Sequence, residues 1–110
     1  MFKNHLKELL DAGKPAFGIQ LRFGSPAIVE LAGLAGFDWV LIDSEHAPQT
    51  PVTIQGQLQA AGCTPVTPVV RIGKSDPGCM QTYFQLAFSI QISTLTYYRY
   101  TYNANQLDCK

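Results

Sequence analysis

Three helix-start signatures recur at nearly constant spacing. Ser25-Pro26, Thr50-Pro51 and Asp76-Pro77 each place a short polar side chain directly before a proline. The polar side chain can accept a hydrogen bond from the exposed N–H groups of a first helical turn. The proline has a backbone angle already suited to that turn and no N–H to leave unpaired. Gly36 and Gly62 follow the first two pairs at similar offsets, where a helix can end. Ile28, Leu31, Ala32 and Ala35 form an apolar stripe in the first of these helices, and Ile54, Leu58 and Ala61 a weaker one in the second. Between helices lie short apolar runs with polar flanks, Trp39 to Ile42 and Pro68-Val69-Val70, as expected of strands buried on both faces. Ala16 to Leu21 forms an earlier strand. Phe2, Leu6, Leu9 and Leu10 share one face of a leading helix that Gly13 ends. A unit of about 25 residues holding one strand and one helix is a βα repeat. Successive repeats favour parallel strands joined by right-handed crossovers. The fold class is therefore α/β, and a closed barrel and an open doubly wound sheet both satisfy the pattern.

Bulk properties narrow the partners. A chain of 110 residues forms one domain at most. Eight basic and eight acidic residues cancel, which argues against nucleic acid or an anionic membrane surface. No apolar run approaches the ~20 residues of a membrane-spanning helix. The opening Met-Phe-Lys-Asn-His-Leu-Lys-Glu lacks the apolar core of a secretory signal, so a cytoplasmic location is expected. Cys63, Cys79 and Cys109 are odd in number and not at metal-ligand spacing. They are expected to be buried or inert thiols in a reducing compartment.

The character of the chain changes near Gly78. Residues 81 to 110 carry only Arg99, Asp108 and Lys110 as charges, cluster Tyr97, Tyr98, Tyr100 and Tyr102, and contain neither glycine nor proline. The expected division is an α/β domain over 1–78, which the family resemblance described below makes a partial barrel, and a divergent tail over 79–110, of the kind a frameshift or intron read-through produces.

Chemistry in parallel α/β folds sits beyond the carboxyl ends of the strands. Three such ends are legible: Gln20, Leu21, Arg22 and Phe23; then Asp43, Ser44, Glu45 and His46; then Arg71, Gly73, Lys74 and Ser75. Together they bring an imidazole, two carboxylates and a guanidinium to one cleft. That set suits a small acid, with Arg71 gripping a carboxylate and His46 moving a proton. Asp43, three residues before His46, is placed to accept the imidazole N–H and fix its tautomer. A solvated loop with incidental polar residues is the competing reading. His5 is expected to be surface decoration. Gly33, Gly36 and Gly62 pack or end helices, since no phosphate-binding glycine pattern is present.

From about residue 5 to Pro77 the chain resembles the class II pyruvate aldolases, the 4-hydroxy-2-oxo-heptanedioate aldolase family with its citrate lyase-like relatives. The likeness is carried by Gly36-Phe37-Asp38-Trp39, Ile42-Asp43-Ser44-Glu45-His46-Ala47-Pro48, Pro68-Val69-Val70-Arg71 and Ser75-Asp76-Pro77. The His-Ala-Pro string favours the oxo-acid aldolases over the citrate lyase β and malyl-CoA lyase group. The resemblance implies a (β/α)8 barrel in a homo-oligomer. It implies reversible cleavage of 4-hydroxy-2-oxo acids to pyruvate and an aldehyde, with a divalent metal such as Mg2+ or Mn2+. It assigns His46 as the acid–base residue, Asp43 as its orienting partner and Arg71 as the oxo-acid ligand. Glu45, next to His46, is expected to support them. It also implies that the metal is held by a Glu and an Asp on later strands, which have no counterpart in this chain. A further aspartate of the family aligns with Gln85. A full barrel needs about 250 residues, and about three of its eight strands are present. The 110-residue chain is thus expected to show no turnover, with a non-catalytic barrel fragment as the alternative.

Overall fold

The computed structural model describes residues 4–72 and 81–82. Helices and strands alternate: α1 (His5–Asp11), β1 (Gly18–Leu21), α2 (Pro26–Leu34), β2 (Trp39–Asp43), α3 (Pro51–Gly62) and β3 (Thr67–Arg71). The strands form one parallel sheet in the order β1-β2-β3. Register pairs Gly18 with Trp39 and Trp39 with Thr67, so the strands begin and end nearly level. Their carboxyl ends therefore share one edge, as the βα repeat requires. Phe2, Gly73, Lys74, Ser75, the Asp76-Pro77 pair, Cys79, Gln85, Cys109 and the remaining tail lie outside the described residues.

The caps work by different means. At Thr50 the side chain accepts from Thr53 N–H while the Thr53 hydroxyl accepts from Thr50 N–H, a reciprocal capping box. Ser25 has the extended backbone of a cap, but its side chain bonds no helix N–H. There the helix start relies on Pro26. Gly36 leaves its helix with φ of 94°, a conformation costly for a residue with a side chain. Gly62 does not repeat this. It remains the last residue of α3, and Cys63 caps the helix with φ of −85°. The turn is closed instead by Thr64, whose N–H and hydroxyl both donate to Ala61 O.

Helices α2 and α3 lie side by side and cover one face of the sheet. The core between the layers is built from Leu21, Val29, Ala32, Val40, Ala61 and Val66, and Ile42, Ile54, Leu58 and Val70 are also buried. In β2, Val40 and Ile42 are fully buried whereas Trp39 and Leu41 are half-buried, so only the helix-facing side is sealed among the described residues.

The apolar stripe expected on α2 is turned. Its buried residues are Val29, Ala32 and Gly33, while Leu31 and Leu34 are exposed. This helix is apolar nearly all round, so periodicity does not choose a face. Close approach does: a Cβ on Gly33 would collide with the side chain of Thr64. Cys63 is likewise exposed rather than buried.

The amino ends of the strands are closed by polar bonds. α1 buries no residue. It is held by His5 Nε2 at 2.9 Å from Asp38 Oδ1 and by Leu6 N–H donating to Thr67 Oγ1. Phe17 N–H donates to Asp38 Oδ2, and the Trp39 indole N–H donates to Ala16 O. His5 is therefore a clasp between α1 and β2, not surface decoration. The Phe17 N–H, with His5 second, holds the Asp38 carboxyl below its ordinary range.

Gly18 is the tightest point of the sheet, because a Cβ there would lie inside the Trp39 indole. Gly18→Ala should cost about 1–3 kcal/mol of stability, read as a lower midpoint in urea unfolding. Combining it with Trp39→Leu should return part of that loss, because the obstructing ring is removed.

Candidate active site

The carboxyl ends of β1, β2 and β3 converge on Asp43. Side chains alternate across a strand. The register therefore sets Gln20, Asp43 and Arg71 on the sheet face opposite the helices. Asp43 is fully buried. Its Oδ1 accepts the backbone N–H groups of Glu45 (3.0 Å) and His46 (3.1 Å), which folds the chain into a tight turn as it leaves the strand. Its Oδ2 accepts from the Gln20 amide at 2.9 Å. Around that oxygen stand Arg71 Nη1 at 3.6 Å, His46 Nδ1 at 3.7 Å and Arg22 Nε at 3.9 Å.

Arg71 joins the strand ends. Its Nε donates to Glu45 Oε2 at 2.6 Å, and its carbonyl accepts from both the N–H and the hydroxyl of Ser44. Glu45 Oε2 is also 3.8 Å from His46 Nδ1. The imidazole thus faces two carboxylates while remaining half exposed, at 49%. A buried anion, a solvent-reaching imidazole and a guanidinium in one cluster can bind a small anion and exchange a proton with it.

Burial alone would raise the pKa of Asp43. The donors of His46, Glu45 and Gln20 and the charge of Arg71 outweigh it, so the carboxyl sits below its ordinary value of 3.8. Asp43 is accordingly an anion throughout the physiological range.

The structure brings together Asp43, Glu45, His46 and Arg71, the four residues singled out in the sequence. The relation of Asp43 to His46 differs in detail. The short bond is to the His46 backbone N–H, and the imidazole stands back at ion-pair distance. Three glutamines complete the surroundings. Gln20 was visible as a strand-end residue. Gln49 has no such local signal, whereas Gln57 interrupts the apolar stripe of α3. Among the described residues no group of three or more His, Cys, Asp and Glu side chains is placed to hold a metal ion. Glu45 is taken by Arg71, and both Asp43 oxygens accept hydrogen bonds. These residues do not fit the divalent metal that the resemblance implies.

Residues 17–97 match the model of the HpcH/HpaI aldolase/citrate lyase family. The chain belongs to that family. It is 47% identical over 75 residues to a 4-hydroxy-2-oxo-heptane-1,7-dioate aldolase of Salmonella dublin, covering 68% of this chain and 28% of that protein. Among solved structures it is similar to an HpcH/HpaI aldolase/citrate lyase family protein from Burkholderia cenocepacia J2315. That likeness has a TM-score of 0.72 and 34% identity, over 86% of this chain and 37% of the other. It is similar also to the citrate synthase SbnG, with a TM-score of 0.70 and 25% identity over 76% of this chain and 34% of the other. The chain thus spans little more than a quarter of the curated aldolase it matches, at 28%. The α/β sheet is that of barrel-type aldolases, of which it covers a part.

The Asp43 carboxyl has a lower pKa folded than unfolded, so the unfolded chain binds the extra proton. Its contribution to stability is therefore complete above the ordinary value and is lost as pH falls through the depressed one. Asp38 acts in the same direction. Asp43→Asn should lose about 3 kcal/mol at pH 7, because its amide would face Gln20 and two guanidiniums in place of a carboxylate. It should also flatten the acid limb of stability, measured as urea midpoints between pH 7 and pH 2.5.

Proposed function

We propose that this chain carries the acid–base and oxo-acid-binding half of an aldolase site that cleaves 4-hydroxy-2-oxo acids to pyruvate and an aldehyde. The observation that carries this reading is the buried Asp43 carboxylate, which gathers His46, Glu45 and Arg71 at the carboxyl ends of parallel strands.

The chemistry follows from charge. His46 takes the proton of the C4 hydroxyl. The C3–C4 bond breaks, C4 leaves as the aldehyde carbonyl, and the electron pair passes to C3 and the C2 oxygen as an enolate. The same proton returned to C3 gives pyruvate, so atoms and electrons balance without a further reactant. Arg71 places a fixed positive charge beside the substrate carboxylate and the developing enolate oxygen, where a preorganised charge lowers the barrier most. Asp43 and Glu45 stabilise the imidazolium that exists between the two transfers. A divalent metal in this family supplies further enolate stabilisation when bound. The described residues do not offer its ligands.

A second reading has support in the likeness to citrate synthase SbnG. Citrate formation also passes through an enolate, run in the bond-forming direction, so the same half-site serves either reaction. The two separate on ligand: tighter binding of citrate than of pyruvate by the chain would favour the synthase reading.

The 110-residue chain should bind pyruvate without turning over a 4-hydroxy-2-oxo acid in the presence of Mn2+. Pyruvate titrations followed by NMR should show binding that survives His46→Ala and falls at least about tenfold in Arg71→Met, the loss expected for a charge-assisted contact. Pyruvate release by the unmodified chain, abolished by His46→Ala, would show a complete catalyst and overturn the half-site reading.

A further inference from the structure

The turn that carries Glu45 and His46 is tied to the interior of α3 by a chain of glutamines. Gln57 is fully buried on the apolar stripe of that helix, between Ile54, Leu58 and Ala61. Its Nε2 donates to Thr53 O at 3.0 Å and to Gln49 Oε1. Gln49 Nε2 in turn donates to Asp43 O at 3.1 Å. Only a nitrogen can serve the Thr53 carbonyl, so the Gln57 amide cannot be reversed. Its second hydrogen then requires the oxygen of Gln49, which forces the Gln49 nitrogen to face Asp43. Each amide orientation fixes the next.

The arrangement has a cost. Gln57 Oε1 is buried and has no hydrogen-bond partner among the described residues. A buried acceptor left unpaired destabilises a fold, and an apolar side chain of the same volume would avoid this. Stability therefore does not account for a glutamine at this position. The bond it directs does: Gln49 reaches back to the last residue of β2 and closes the segment that holds Ser44, Glu45, His46, Ala47 and Pro48.

We infer that Gln57 and Gln49 are positioning residues that hold the Asp43–His46 turn from within helix α3. The functional purpose of that role rests on the aldolase reading, but its physical content does not. Acting through Gln49, Gln57 keeps the Asp43 carbonyl in place, and so keeps the Glu45 and His46 N–H groups on the Asp43 carboxylate.

The test is Gln57→Met in the full chain, followed by amide hydrogen exchange, the NMR signal of the His46 imidazole, and thermal unfolding. Methionine keeps the volume and removes both the donors and the orphaned acceptor. The expected result has two parts of opposite sign. The unfolding temperature stays level or rises. The Glu45 and His46 amides exchange about tenfold faster, with Val40 and Val69 unchanged, as local opening predicts, and the imidazole signal shifts or broadens. Gln49→Met, at a half-buried position, should reproduce the local loss and keeps the test open if the first variant does not fold. A lower unfolding temperature with uniformly faster exchange would reduce Gln57 to a packing residue and overturn the inference, as would unchanged Glu45 and His46 amides. No ligand enters these measurements, so a failure of pyruvate binding would count against the aldolase reading alone.

Discussion

The cluster at the top of the sheet depends on one buried anion. Asp43 has no exposed surface, yet it ends a strand in an apolar layer. A lone carboxylate there would take up a proton. It stays charged because two backbone N–H groups, the Gln20 amide and the Arg71 charge meet it. The compensation dictates local shape: the turn after β2 must fold back to bring its own N–H groups to the carboxylate. β1 must end level with β2 so that Gln20 reaches across, and β3 must deliver Arg71 beside them. Electrostatic necessity and strand register thus support one another, and the candidate site residues are held by the same bonds that stabilise the fold.

The layers beneath explain why this geometry is stiff. Parallel strands need both faces covered, and α2 and α3 seal one of them. On that side close approach sets the packing, through Gly33 against Thr64. On the other side Trp39, Leu41 and Val69 lead up to Gln20, Asp43 and Arg71. Family membership gives that face a meaning, since in a barrel it looks into the lumen, whose upper end holds the chemistry.

Much of this was legible in the sequence, for identifiable reasons. The cap–proline pairs report a local rule, and the starts of α2 and α3 follow from them at Pro26 and Pro51. Strand β2 announces itself by an uninterrupted apolar run. Asp43, Glu45, His46 and Arg71 stand out because charge at the end of an apolar strand requires an explanation. What escaped depends on three-dimensional proximity. The buried face of α2 could not be read from a helix apolar at every position but Glu30. The end of α3 depends on a threonine two residues beyond Gly62. The bond of His5 to Asp38 spans 33 residues and has no local signature. Gln49 and Gln57 gain their roles only when the turn and helix α3 are folded against each other.

Helix α1 is joined to the rest by hydrogen bonds rather than by buried hydrocarbon. Such a joint has a different physics from the core above it. Little apolar surface is uncovered when it opens, so little heat-capacity change accompanies its release. Its opening frees only a short segment of chain. The amino-terminal turn and the link that follows it, as far as Phe17, are therefore a separate unit of stability. That segment can peel away and return many times during the life of the folded sheet, and among the described residues it is where a protease would first find the backbone.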